Sequence, residues 1–236
     1  MERILDRLRE WKFRLLLLSV AMLVIIYPML QSTFDARIFL DILVGLVFLA
    51  SLHIVFQDRR LRVAAFALGL PTFVGVWIHH ILPGVAQEPL EVAFHSIAAA
   101  FFFFTIIAIL RMVHREKIIS VDSVCGALCG YLLVGLAFGH IYCVVDVVAP
   151  GSFKLPMDLI RNPTDQSHRH FALTYFSFVT LATVGYGDIT PASGAARSLA
   201  IAEAVVGQFY LAVLIAELIG KRVSQAIIEQ QSRSLE

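Results

Sequence analysis

Charge and cysteine are both scarce in this chain. Only 16% of its 236 residues are Asp, Glu, Lys or Arg, and 19 basic residues nearly balance 18 acidic ones. The three cysteines, Cys125, Cys129 and Cys143, fall in one apolar stretch. An odd count inside such a stretch argues against a disulfide framework. Cys125 and Cys129 lack nearby partner residues for a metal. There is no internal repeat, no nucleotide-binding fingerprint and no catalytic constellation. Neither an enzyme, a cofactor nor a nucleic-acid partner is expected.

What fills the chain is apolar sequence. Hydrophobic residues make up 58% of it, which is the composition of a membrane protein. A bilayer span takes about 20 apolar residues. Six stretches qualify: 13–30, 38–56, 62–82, 91–113, 122–148 and 194–220. A seventh, 171–182, is too short and is read as a half-helix that dips in and turns back. Placing both termini in the cytoplasm puts fourteen of the 19 Lys and Arg residues on the inner side, as the positive-inside rule asks. Residues 1–28 imitate a secretory signal, but no small-residue cleavage pattern follows, so a retained first helix is expected. Within residues 1–14, Ile4, Leu8 and Trp11 fall at helical spacing. That segment is either a helix lying on the inner membrane surface or a polar extension of the first span. The outer-end histidines, His79-His80 and His168-Arg-His170, either sense external pH or are incidental.

Between the half-helix and the last span, residues 183–188 read Thr-Val-Gly-Tyr-Gly-Asp. In a soluble protein two glycines around a tyrosine would be an ordinary turn. At membrane depth, bare backbone is tolerated only when buried in protein or lining water. A ladder of carbonyls aimed one way needs alternating hands of backbone. Gly185 and Gly187 take φ > 0 without steric cost. In such a ladder Thr183 would add a hydroxyl oxygen below the carbonyl rungs, Tyr186 would turn its ring outward to brace the loop, and Asp188 would sit at the outer end. The C-terminal end of the half-helix carries about half a negative charge, and four such ends facing one cavity favour a cation there.

Residues 171–220, with helix 122–148, resemble the pore of prokaryotic potassium channels. The shared pattern is an aromatic pore helix, Thr-Val-Gly-Tyr-Gly-Asp, a proline shortly after (Pro191) and an inner helix with a central glycine (Gly207). The resemblance implies an all-α membrane protein with six transmembrane helices, a re-entrant pore helix and a filter loop. It also implies a homotetramer with fourfold symmetry, embedded in lipid and located in the prokaryotic plasma membrane with both termini cytoplasmic. K⁺ would be held by oxygens of Thr183, Val184, Gly185 and Tyr186, with Gly187 completing the filter. The domain plan is a possible interfacial helix at 1–14 and a four-helix sensor-like domain at 15–113. A pore domain at 122–220 contains pore helix 171–182, filter 183–188 and inner helix 194–220, and a short cytoplasmic tail spans 221–236. Gly207 carries over as a gating hinge, or is simply a close-packing contact. Leu211, Ile215 and Ile219 would line an apolar constriction below it. A ligand-sensing domain is expected to be absent or to belong to a separate regulatory subunit.

The chain departs from the pattern in places. Val179 stands where many relatives have a buried carboxylate behind the filter. Glu203 of the inner helix either bonds to a neighbouring pore helix or faces the cavity. Glu217 either attracts K⁺ to the inner mouth or pairs with Lys221 at i+4. A potassium transporter, and a non-conducting or chimeric pore scaffold, are the alternatives to a channel. The fourth span has one Arg, Arg111, at its inner end, where a voltage sensor has one at every third position. Steep voltage gating takes about three to four charges per subunit, each worth about 2.3 kcal/mol per 100 mV. Arg111→Gln is therefore expected to leave a nearly flat conductance–voltage curve unmoved. A steep curve worth several charges, recorded in planar bilayers, would contradict this.

Overall fold

The computed structural model describes residues 12–30, 45–51, 59–81, 88–115, 120–156 and 166–233. Its elements in chain order are α1 (Lys12–Leu30), α2 (45–51), α3 (Arg59–Ile81), α4 (Glu88–Arg115), α5 (Val121–Val148), β1 (Phe153–Lys154), α6 (Gln166–Leu181), β2 (Thr190–Pro191) and α7 (Gly194–Arg233). Among the described residues three helices are long and apolar enough to cross a membrane, over Glu88–Arg115, Val121–Val148 and Gly194–Ile227. Phe13–Ile25 and Leu61–Gly75 are shorter apolar helices. Most of the expected interfacial helix at 1–14 lies outside the described residues, and of the expected second span, 38–56, only 45–51 falls within them.

Two expected boundaries need correction. The half-helix expected over 171–182 is longer on one side: α6 starts at Gln166 and ends at Leu181. Hydropathy locates only the apolar part of a helix. The polar first turns, Gln-Ser-His-Arg-His, are helical as well, and Arg169 there forms an ion pair with the buried Asp146 of α5. The expected short tail at 221–236 is in large part helix. α7 runs unbroken to Arg233 over 40 residues, or about 60 Å, twice the hydrocarbon thickness of about 30 Å. The end of the apolar run at Gly220 marked the end of hydrophobicity, not of helix.

The hub of the fold is α5, which packs against α1, α4, α6 and α7. Its start is capped reciprocally: Ser123 N donates to Ser120 Oγ at 3.0 Å, and Ser120 N donates to Ser123 Oγ at 3.1 Å. Between these two serines, the buried Asp122 caps a different helix. Its Oδ1 accepts from Arg14 N at 3.1 Å and its Oδ2 from Phe13 N at 3.4 Å. The amides of a first helical turn have no partners within their own helix, so α5 supplies acceptors to the start of α1. Phe13 is fully buried there, its ring over Gly126, where an added Cβ would stand 2.9 Å from it. Two further glycines on α5 seat α6. A Cβ on Gly139 would lie 3.1 Å from the Thr174 Cα, and one on Gly135 would lie 2.6 Å from the Phe178 ring. Small residues let helix backbones approach where lipid supplies no hydrophobic drive between them.

Farther from α5, the core is aromatic. Phe48 of α2 sits 6.1 Å from the rings of Phe66 and Phe101 and 6.2 Å from that of Phe73, at the offset and edge-on spacings such rings favour. After α5 the chain turns through Gly151 into β1, which pairs antiparallel with β2, Phe153 opposite Pro191 and Lys154 opposite Thr190. The Ser152 carbonyl accepts from Ala192 N at 2.7 Å. The segment following residues 183–188 is thereby tied to the segment following α5.

Asp122→Ala removes both acceptors at the start of α1. A lost helix cap costs about 0.5–2 kcal/mol, so a lowered thermal midpoint is expected for the purified protein in detergent. Asp122→Asn, which retains one acceptor oxygen, is expected to fall between. An unchanged midpoint for Asp122→Ala would show that α1 is held by its packing alone.

Candidate functional site

The turn between α6 and β2 has the alternating backbone read from its sequence. Gly185 lies at φ 62° and Gly187 at φ 81°, while Val184 and Tyr186 between them remain in the ordinary half of the map. A Cβ at either glycine would meet nothing within 4 Å. Conformation and not space therefore requires glycine at both. The alternation starts one residue earlier than the glycines indicate, since Thr183 lies at φ 56°. For a β-branched residue this is a true outlier, and such a conformation costs on the order of 1–3 kcal/mol.

The amides of the turn point back into the helix. Ala182 N donates to Phe178 O at 3.0 Å, Thr183 N to Thr180 O at 2.9 Å, and Val184 N to Val179 O at 2.9 Å. These bonds satisfy carbonyls left over at the end of α6. Among the described residues, no carbonyl from Thr183 to Gly187 accepts a backbone hydrogen bond. The same residues are exposed, Val184 by 50% and Tyr186 by 70%. Within its own chain the Tyr186 ring is largely exposed. A brace comes from Tyr175 on α6, whose hydroxyl donates to Asp188 Oδ2 at 2.8 Å, while Asp188 Oδ1 accepts from Ile189 N at 3.0 Å.

Behind the turn a buried carboxyl joins three helices. Glu203 of α7 has no solvent exposure. Its Oε2 accepts from the Tyr142 hydroxyl of α5 at 2.5 Å, and its Oε1 meets the Ser177 hydroxyl of α6. Ser177 Oγ also lies 2.7 Å from the Gly135 carbonyl. A serine hydroxyl has a single hydrogen to donate. Both Ser177 contacts are hydrogen bonds when Glu203 carries a proton on Oε1 and donates it. Of the two readings open from the sequence, the structure has Glu203 bonded to α6, within its own chain. Val179 leaves α6 without an acid of its own, and α7 supplies one to its buried side.

Gly207, one turn below Glu203, is buried against the end of α6. A Cβ there would stand 2.7 Å from the Leu181 carbonyl oxygen and 2.8 Å from Leu181 Cδ1. The same carbonyl accepts from the Tyr131 hydroxyl at 3.2 Å. Close packing alone thus accounts for glycine at 207, and α7 is a continuous helix through it. Gly207→Ala would press on the last residue of α6, two residues before Thr183. Of the residues expected to form a constriction, Leu211 is half-buried, while Ile215 and Ile219 are more than half exposed. Glu217 pairs with Lys221 at 2.8 Å, as one of its two sequence readings had it. Lys221 has a second role that spacing does not show. Its Nζ donates to the carbonyls of Val113 at 2.9 Å and His114 at 3.3 Å, a cation at the C-terminal end of α4, where the helix dipole favours it.

Sequence reasoning missed Tyr131, Tyr142, Tyr175 and Ser177. Their signal was polarity inside apolar stretches, because a polar group at membrane depth requires a partner. Which partner each would find was not written in the spacing. The side chains of His79, His80 and His168 lie outside the described residues.

Comparison with known proteins gives three results. The family model described as "Ion channel" matches residues 128–223, the stretch from within α5 through the turn into α7. Protein LctB of Bacillus caldotenax is 33% identical over 134 residues, covering 53% of this chain and 92% of that protein. Two pore potassium channel c of Oryza sativa subsp. japonica is 32% identical over 92 residues, 39% of this chain and 17% of that protein. No solved structure matches the chain.

Glu203→Gln preserves both contacts, since an amide donates from nitrogen and accepts at oxygen. It is expected to keep the parental thermal midpoint. Glu203→Ala leaves the buried Tyr142 hydroxyl without its acceptor, at a cost of about 1–3 kcal/mol, while Ser177 keeps the Gly135 carbonyl, and is expected to lower it. Equal destabilisation by both variants in detergent melts would mean that the network depends on a charged carboxylate.

Proposed function

The chain belongs to the ion-channel family, and on that premise we propose that it forms a potassium-selective pore as a homotetramer. The observation that carries this reading is the turn Thr183–Asp188, with three positive φ values at alternate residues and, among the described residues, no backbone partner on the carbonyls from Thr183 to Gly187. Oxygens held in that way replace the water shell of a dehydrated cation. The K⁺ sites are the oxygens of Thr183, Val184, Gly185 and Tyr186, Gly187 completes the filter, and Asp188 stands at the outer mouth. One chain supplies one strand of such a filter, so four are needed to enclose an axis.

The outer surface of α7 supports assembly. Only 17% of its most apolar stretch is buried within the chain, against 67% for α5. Ile201, Phe209 and Val213 are each more than 60% exposed. In a tetramer this face meets neighbouring chains and the central cavity. The four α6 segments then aim their C-terminal ends at one point, with partial negative charge where a cation is otherwise costly.

The remaining organisation follows the sequence reading. Six spans cross the prokaryotic plasma membrane with both termini inside, and the domain at 15–113 holds the pore without sensing voltage. The inner helix opens at Gly207, with Leu211, Ile215 and Ile219 as the apolar constriction below. Because Gly207 rests on Leu181, bending there also releases the end of α6, so inner gate and filter move together.

Purified protein reconstituted in planar bilayers is expected to give a reversal potential that follows the K⁺ gradient in opposed KCl and NaCl solutions. Its mass in detergent is expected to be that of four chains. Equal permeability to K⁺ and Na⁺ would overturn the selectivity, and a conducting monomer or dimer would overturn the fourfold arrangement.

A further inference from the structure

Three histidines from three helices converge near the start of α6. His95 lies in the second turn of α4, His140 about two turns before the end of α5, and His170 in the second turn of α6. The His95 and His140 ring centroids are 5.1 Å apart, those of His95 and His170 5.3 Å, and those of His140 and His170 4.7 Å. Their ligand nitrogens all lie within 4.8 Å of one another, and Nδ1 of His95 is 2.8 Å from Nδ1 of His140. His140 is buried and the other two are half-exposed.

We infer that His95, His140 and His170 form a binding site for a late first-row divalent metal ion, with zinc the expected occupant. Zinc binds imidazole nitrogen at about 2.0–2.1 Å, so two donors on one tetrahedral ion stand roughly 3.3 Å apart. The nitrogens here straddle that spacing, and small rotations of the rings bring all three onto one ion. Three histidines with a water in the fourth position are a standard zinc donor set. Imidazole selects zinc, copper or nickel, whereas calcium and magnesium require oxygen donors.

The surroundings favour a cation. Phe94 and Phe102 stand 6.0 Å and 5.6 Å from the His140 ring. The neighbouring charges come from three helices. Glu91, buried one turn before His95, and Asp146 on α5 are acidic, and Arg169 on α6 is paired with Asp146. Asp146 Oδ1 is buried without a hydrogen-bond partner among the described residues. The half-exposed edges of His95 and His170 give an ion its way in, from the outer side in the orientation proposed above.

A bound ion ties α4 to α5 and to the start of α6. The end of α6 is eleven residues from His170, about 17 Å along the helix, and runs directly into Thr183. The site therefore links the peripheral helices to the element that carries the turn. Its existence does not depend on conduction or on potassium selectivity, because binding is read without either.

The test uses the full-chain protein in detergent, stripped with EDTA and titrated with ZnCl₂ by calorimetry against a competing chromophoric chelator. One zinc per chain is expected, and Co²⁺ in its place should show the visible bands of a four-coordinate ion. His95→Gln and His170→Gln alter half-exposed residues, which spares the buried His140. Each is expected to weaken zinc binding by more than about tenfold, the scale seen even for outer-shell changes at metal sites, while eluting as the parent does. No zinc bound by the parent would overturn the assignment. So would equal zinc affinity in the parent and both variants, which would place the ion on other residues.

Discussion

From Thr183 to Gly185 the backbone turns its amides back onto α6, and from Thr183 to Gly187 its carbonyls accept no backbone hydrogen bond among the described residues. At membrane depth such groups persist only where protein buries them or water reaches them. Much of the described structure can be understood as meeting that condition. The turn cannot hold itself. Thr183 lies in a conformation that a β-branched residue avoids, and Val184 and Tyr186 stand exposed on the single chain. Support must come from behind, and on the proposed reading from three further copies at the front.

The support behind is polar and close. A carboxyl on α7 meets a hydroxyl from α5 and another from α6 at one buried point. Gly207 lets α7 lie against the Leu181 carbonyl, and Gly135 and Gly139 let α6 lie against α5. Burying Glu203 would be costly if any of its partners were missing. With both hydroxyls present it holds the spacing of three helices to within a hydrogen bond. Tyr175 does similar work at the other end of the turn, through Asp188.

The peripheral helices are joined to this assembly by side chains that end other helices. Asp122 on α5 accepts from the first turn of α1. Lys221 on α7 donates to the last carbonyls of α4 and holds Glu217 at the same time. The three histidines meet at the opposite end of α4. That helix is thus held at both ends, to α7 at one and to α5 at the other.

Local chemistry was legible in the sequence by itself. The conformation at Gly185 and Gly187 follows from the absent Cβ, a property of each residue alone. The apolar stretches at 91–113, 122–148 and 194–220 follow from summed hydropathy, and each lies within a helix of the structure. The i+4 pairing of Glu217 with Lys221 follows from helical spacing. What the tertiary structure decided were the ends and the partners. The start of α6 at Gln166 and the continuation of α7 to Arg233 carry little apolar signal. Tyr142 and Glu203 are 61 residues apart, Asp122 and Arg14 108, and His95, His140 and His170 share no spacing motif. A residue's backbone preference is set by its own atoms and its neighbours in the chain. Which distant polar group it meets is set by how helices pack, and that becomes definite only when the whole bundle closes around α5.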